Sequence, residues 1–366
     1  MSSKYFKFLT LFFAVLLLAL GLCSCAAEEM NRTEILQMIG GIGSEQIVVS
    51  FPGLGVQPFY VNKVAFSIPL GGENQITVYW YGVLIVLGMI LGIVYAALRA
   101  KYNENIKSDD LFDVAIWAIF AAVIGARLYY VLTSLDKYKS FWDVFKIWDG
   151  GIAIYGALIA GAVAVFLVCK FKKLKFLKVA DLAAPAVMIG QIIGRWGNFV
   201  NGEAYGYEIA SNEFLYFLRM GIFPHTNEGI NASNAMLAYV HPTFLYESAW
   251  NLIGFILLNI LYRKKKFDGQ IFYTYIAWYG FGRMFIEMLR TDSLYIGSIR
   301  ISVLVGCLCF VAGVALLILG AEKGKKERLA KESYDKVYTN FKTGNPLTSK
   351  YNEEETEEKE NEDEDN

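Results

Sequence analysis

Four short stretches of this chain gather side chains that can hold an anion or move a proton. Between Tyr279 and Arg290, the residues Tyr279, Arg283, Glu287 and Arg290 stand at i, i+4, i+8 and i+11 and share one helical face. A plain reading makes Arg283 and Glu287 a structural ion pair. Against it, one Glu cannot neutralise two Arg, and the surplus positive charge suits an anion. A second stretch sets Arg195, Asn198, Asn201 and Glu203 within nine residues, with Gly194 and Gly197 flanking the arginine and Gly206 beyond. An arginine at a membrane boundary often only snorkels, but two amides and a carboxylate so close exceed what anchoring requires. A third stretch opens His241-Pro242 and reaches Glu247 nearly two helical turns on. His241 is either a satisfied interfacial residue or a base whose pKa suits neutral pH. The fourth, Gly150 to Gly161, is rich in small residues that read as helix packing. Within it Tyr155 carries a phenol that needs a polar partner at membrane depth. Tyr81 and Arg127 add to the polar set.

The elements that must position these residues are membrane helices. The 366 residues are 55% hydrophobic and only 19% charged, and the apolar residues cluster in repeated runs. A run of about 20 residues makes a helix of roughly 30 Å, enough to cross a bilayer core. The expected fold is all-α and polytopic, with seven core spans at roughly 76–98, 110–134, 152–171, 180–196, 243–262, 270–290 and 300–320, the fourth short. A charge at the centre of such a span costs roughly 2.5 to 3.5 kcal/mol on insertion scales, so ionisable residues there are usually functional.

Loop charge sets the orientation. Arg99, Lys101 and Lys107 follow the first span, five lysines from Lys170 to Lys178 the third, Arg263 to Lys266 the fifth, and Lys323 to Arg328 the seventh. The alternate loops carry no such excess: 135–151 balances three Lys with three Asp, and 197–242 has Arg219 as its only Lys or Arg. Positively charged loops stay in the cytoplasm, so residues 28–75 and the loop 197–242 are expected outside and the C-terminus inside. That puts all four polar stretches near the outer leaflet. The 197–242 loop is long enough to be a small folded cap.

Ahead of the core, residues 1–27 have a basic start (Lys4, Lys7), an apolar middle and a small-residue end. They read as a signal peptide or as an uncleaved extra helix, and Leu22-Cys23-Ser24-Cys25 also loosely resembles a lipoprotein box. At the other end, 321–366 reads as a charged, disordered tail, with ten Asp or Glu and one Lys in 353–365. The five cysteines show neither zinc spacing nor a disulfide framework.

Taken together, five motifs resemble the prolipoprotein diacylglyceryl transferases. They are Tyr79-Trp80-Tyr81-Gly82, Gly150-Gly151-Ile-Ala-Ile-Tyr155-Gly156, Arg195-x-Gly197-Asn198-Phe199-x-Asn201-Gly202-Glu203-x-x-Gly206, His241-Pro-Thr-x-Leu-Tyr-Glu247 and Gly282-Arg283-x-Phe-x-x-Glu287-x-x-Arg290. They occur in the family's order, and the match spans about residues 45 to 320. The resemblance implies transfer of a diacylglyceryl group from phosphatidylglycerol to the lipobox cysteine of a prolipoprotein, forming a thioether and releasing glycerol phosphate. It implies a cell-membrane enzyme whose partners are phosphatidylglycerol, the prolipoprotein signal-peptide and lipobox region, and membrane lipid. Nucleic acid, metal and organic cofactor have no part in it.

On this reading Arg195 and Arg283 offer forked donors to a phosphodiester, and fixed donors there stabilise the charge that grows as phosphate leaves. Asn198, Asn201, Gly206, Tyr81, Tyr279, Glu287 and Arg290 line the substrate. One departure bears on mechanism: the family commonly has His where this chain has Tyr155, and a phenol is a poor base at neutral pH. His241 becomes the preferred acceptor of the thiol proton, with Glu203 or the phosphate itself as rivals. The alternative from another class is a secondary transporter or lipid-binding scaffold for an anionic ligand, but transporters place polar groups at the bilayer midplane with access from both faces.

Overall fold

The computed structural model describes Met38, Gly43 and residues 45–71, 74–135, 138, 140–146, 150–223 and 239–343. The signal-like segment 1–27, Trp148, Asp149 and the acidic run at 353–365 lie outside these residues. The chain divides into two compact units after Leu316.

Among the described residues the chain is mostly helical, as its apolar runs predict. The helices are α1 (Trp80–Arg99), α2 (Ser108–Thr133), α3 (Ile154–Phe171), α4 (Phe176–Asn201), α5 (Thr243–Tyr262), α6 (Gln270–Met288) and α7 (Ile301–Thr343). All but α6 are long and apolar enough to cross a bilayer, which makes this a multi-pass membrane protein. Helix α6 fails that test through its Tyr, Trp, Thr, Arg283 and Glu287 side chains. It tolerates them because it packs against α4 and α5, with Ala277, Gly280, Gly282 and Glu287 buried.

Three expectations change. The fourth span is not short: α4 runs 26 residues, because the polar side chains at both its ends find partners within the protein and stay helical. The first span starts at Trp80 rather than 76, since Ile76 and Val78 alternate with polar residues and form a strand. The tail expected from 321 is helical to Thr343, where Lys323–Glu327 and Arg328–Glu332 stand at i, i+4 along an exposed surface.

Among the described residues, eight short strands are the part that an all-helical reading lacked. Strands β1 (Gln46–Phe51), β2 (Val56–Asn62), β5 (Met220–Phe223) and β6 (Tyr239–Val240) form one antiparallel sheet in the order β2-β1-β5-β6. The 197–242 region is therefore not an independent cap, because its β5 pairs with β1 from the N-terminal segment, Val49 opposite Ile222. Ile47, Val49, Phe51, Met220 and Ile222 are buried there, and Trp196 and Phe199 of α4 and Phe244 of α5 close the cluster. Strands β3 (Val64–Gly71) and β4 (Asn74–Tyr79) make a separate hairpin ahead of α1, and β7 (Tyr295–Ile296) and β8 (Ile299–Arg300) another ahead of α7.

At the opposite end of the helices a buried polar network ties four of them together. Asp181 of α4 is fully buried and accepts the N–H groups of Gly269 (2.8 Å) and Phe272 (2.9 Å), capping the start of α6 with a carboxylate from another helix. Lys265 joins Asp181 (3.2 Å) to Glu104 (2.5 Å), and Glu104 also receives Tyr262 Oη and Lys178. Burial alone would pull Lys265 down, but Glu104 and Asp181 outweigh it and hold the ammonium above the usual lysine range. Arg99 and Tyr95 of α1 both donate to Asn259 of α5.

Candidate active site

Helix α4 ends in polar residues that turn back on themselves. Arg195 Nη1 donates to Asn198 Oδ1 (3.2 Å), and Asn198 Nδ2 donates to Glu203 Oε1 (2.9 Å), which Asn201 Nδ2 also reaches at 3.4 Å. Gly202 makes this possible. At φ +66 it ends the helix in the left-handed region, which costs a glycine little, and so returns Glu203 over the last turn.

Glu247, early in α5, is the centre of the arrangement. Its side chain is 3% exposed, and its Oε1 accepts from Arg195 Nη2 (2.7 Å) and Tyr279 Oη (3.4 Å). Its Oε2 accepts from Arg283 Nη1 (2.8 Å). Arg283 Nη2 lies 2.5 Å from Glu287 Oε2 one turn further along α6. One buried carboxylate thus brings two guanidiniums from different helices to the same place. Tyr81, in the first turn of α1, joins them from the side: a Cβ on Gly197 would lie 2.7 Å from its ring, so glycine there allows the close approach. Gly194, by contrast, faces open space.

The surplus positive charge expected here is absent. Arg195 and Arg283 share Glu247, Arg283 adds Glu287, and Arg290 binds Asp292 through both Nε (2.9 Å) and Nη2 (2.8 Å). What remains for a ligand is hydrogen-bonding capacity. A guanidinium has five N–H donors, and among the described residues Arg195 spends only Nη1 and Nη2 bonds on the protein.

His241 belongs to an adjoining cluster. Its Nε2 lies 3.1 Å from Glu213 Oε2 and its Nδ1 3.3 Å from Tyr246 Oη. Burial pulls its pKa below the usual histidine value while Glu213 opposes the shift. A neutral ring must place its proton on Nε2, facing the acceptor-only carboxylate, and its lone pair on Nδ1 then accepts from Tyr246. Gly206 donates its N–H to His241 O (2.9 Å) and bridges to Arg290, and a Cβ on it would meet His241 Cβ at 2.6 Å and Leu289 O at 2.8 Å. Gly206 therefore seats the α4–α5 loop against the start of α5 and the end of α6.

Two residues stand apart. Tyr155 is half-buried in the first turn of α3, and among the described residues no hydrogen bond joins it to either cluster. Arg127 is committed elsewhere: its five N–H donors all go to backbone carbonyls, of Asp143, Val144, Lys146, Gly150 and Gly151. It clamps the connection between α2 and α3.

The sequence places Glu247 in the same stretch as His241 but gives it no role of its own in the site. A carboxylate one turn into an apolar helix signals that it needs cationic partners, without saying which they are. A further feature had no sequence signal. An apolar cavity of about 500 Å³ lies between α1, α2 and α4, bounded by Gly88, Gly92, Ala115, Ala186 and Gly190 and reaching Gln191, one helical turn before Arg195.

Known proteins bear on this arrangement. The sequence model of the prolipoprotein diacylglyceryl transferases matches residues 64–319. A phosphatidylglycerol–prolipoprotein diacylglyceryl transferase of Clostridium perfringens is 41% identical over 273 residues, covering 73% of this chain and 98% of that protein. Enzymes of the same name from Lysinibacillus sphaericus and Finegoldia magna are 44% and 45% identical over 260 residues, 70% of this chain and 92% and 95% of theirs. Arg195 and Arg283, from two of the family's motifs, meet on Glu247 of a third, and this chain belongs to the prolipoprotein diacylglyceryl transferase family.

Proposed function

We propose that this chain transfers the diacylglyceryl group of phosphatidylglycerol to the lipobox cysteine thiol of a prolipoprotein. The sulfur attacks the glycerol carbon that carries the phosphate, a C–S bond forms, the C–O bond breaks, and glycerol phosphate leaves with the electron pair. The observation that carries this reading is the meeting of Arg195 and Arg283 on Glu247, one helical turn beyond an apolar cavity. Acyl chains fill the cavity, and the phosphodiester takes the N–H donors the two guanidiniums have left. These donors stabilise the charge that develops on the leaving phosphate. Tyr81, Asn198, Asn201 and Tyr279 orient the headgroup, Glu287 holds Arg283, and Arg290 with Gly206 fixes the rim.

The thiol must lose its proton to become the nucleophile. His241 is less suited to take it than its residue type suggests, because Tyr246 already occupies its lone pair. Glu203 is better placed. Its Oε1 is held by Asn198 and Asn201, while Oε2 has no partner among the described residues and the residue is exposed. Tyr155 has no role in proton transfer on this reading.

The protein resides in the bacterial cell membrane with the site at the outer face, the sheet of β1, β2, β5 and β6 capping it and the C-terminus in the cytoplasm, as the lysine- and arginine-rich loops require. A transporter would have to open at the far end, where Asp181, Glu104 and Lys265 tie four helices together. The test is incubation of the purified protein with phosphatidylglycerol and a lipobox peptide. A peptide heavier by one diacylglyceryl group is the expected result, and an unmodified peptide with correctly folded protein overturns the reading.

A further inference from the structure

The hairpin of β3 and β4 has two faces of opposite chemistry, and among the described residues only α1, at its junction with the hairpin, packs appreciably against it. Ile68 stands directly opposite Ile76, and Phe66 opposite Val78, so these four share one face. Phe66, Ile68 and Ile76 are about half exposed, at 52%, 47% and 50%. The other face carries Ser67 opposite Thr77 and Pro69 opposite Gln75. An apolar ribbon face exposed to water is unfavourable at roughly 25 cal/mol per Å², so this face has an occupant. From Val64 to Tyr79 the sequence contains a single ionisable acid or base besides Tyr79, Glu73.

The chain path says which occupant. Strand β4 runs without a break into α1, with Tyr79 and Trp80 at the junction, 41% and 43% exposed. Aromatic residues in that position mark the membrane–water boundary. Ile76 lies four residues from the start of a membrane span, and so within about 14 Å of the boundary at strand rise. The hairpin thus leads directly into α1, whose Val86, Met89 and Ile90 are likewise exposed apolar side chains. The hairpin ahead of α7 repeats the pattern, exposing Ile296 and Ile299 just before its own span.

We infer that the β3–β4 hairpin lies in the membrane interface with Phe66, Ile68, Ile76 and Val78 dipped into the acyl region of the leaflet at the site end, and Ser67 and Thr77 turned to water. It anchors the entrance of α1, and so Tyr81, at a fixed depth in the leaflet. Seated this way, an apolar face reaches about 5 to 10 Å into the headgroup and acyl boundary. The inference needs only the membrane span of α1 and is independent of the proposed reaction.

The test uses the full chain with its native cysteines replaced, in vesicles of phosphatidylcholine brominated near the top of the acyl chains. Ile68→Cys and Ser67→Cys are labelled with a small fluorophore, and Ile76→Cys and Thr77→Cys repeat the comparison on the other strand. Folding is checked for each by elution as a single species of native size. The expected result is quenching at positions 68 and 76 at least about threefold stronger than at 67 and 77. Equal quenching on both faces, or none on either, overturns the inference. So does quenching at 68 that appears only when a brominated signal peptide is added, which would make the face a peptide dock.

Discussion

Arg195 Nη2 and Glu247 Oε1 meet at 2.7 Å between α4 and α5, the carboxylate 3% exposed and the guanidinium 18%. A pair this buried is costly to break from one side, because the remaining partner is stranded without compensation. Glu247→Gln leaves two guanidiniums facing an amide. The expected outcome is a loss of about 3 kcal/mol in stability, read by thermal unfolding in detergent, together with a fall in transfer of at least about tenfold. Unchanged stability and turnover would remove Glu247 from the centre of the site.

Arg195 separates anchoring from recognition. If its charge alone matters, Lys serves equally well; if it grips a phosphodiester through parallel donors, Lys keeps the charge and loses the fork. Arg195→Lys is expected to lower transfer about 100-fold and Arg195→Gln to abolish it nearly, in membranes with matched protein levels. Near-normal turnover by the Gln variant contradicts the proposal.

The proton acceptor can be identified by comparing three variants. Removing a general base costs about 10²- to 10⁴-fold, so Glu203→Gln is expected to fall in that range. Tyr155→Phe should stay within about threefold of the parent, since the phenol has no partner in either cluster. His241→Gln, which can still bond to Glu213 and Tyr246, should retain more activity than Glu203→Gln. The reverse order of the last two would restore the imidazole as base.

His241 also predicts a pH dependence of stability. Its folded pKa lies below the usual value of 6.5 because burial disfavours the charged ring. The unfolded chain therefore binds the proton more readily, and the stability contributed by neutral His241 is complete above 6.5 and lost as pH falls through its folded pKa. Thermal unfolding between pH 7.5 and pH 5 should show a steeper decline in the parent than in His241→Gln. Parallel curves would show that the ring does not titrate in this window.

Orientation is open to direct labelling. Ser211→Cys, on the exposed loop after α4, should react with an impermeant thiol reagent in intact cells, whereas Lys264→Cys, between α5 and α6, should react only after lysis. The opposite pattern would reverse the assignment of the site to the outer face.

The helices, and the helical faces that carry the candidate residues, were legible in the sequence because both are local. Apolar runs mark the spans, and Arg283 and Glu287 share a face at i, i+4. The surplus of charge expected from Arg283 and Arg290 is cancelled just as locally, because Arg290 finds Asp292 only two residues on. The partners of Glu247 were not legible, since Arg195 and Arg283 lie 52 and 36 residues away on other helices. Nor was the pairing of Val48 with Phe223, because long-range strand register leaves no trace in either segment alone. Arg127 misled by type: a buried arginine in a span suggests a ligand, but backbone carbonyls of a single connection used all its donors.

Helix α4 is pinned at one end by Asp181, whose carboxylate holds the start of α6, and it carries Arg195 at the other. Between them stands Pro185, four residues past the pin. A proline has no N–H to give the carbonyl of residue i−4, which here is Asp181 itself. The ladder of α4 therefore lacks one hydrogen bond just above its fixed foot, with about 15 Å of helix at 1.5 Å per residue between that point and Arg195. A few degrees of bending there becomes roughly an ångström at the guanidinium. The pinned foot thus sets where Arg195 stands, ten residues beyond the rung that Pro185 leaves empty on the same helix.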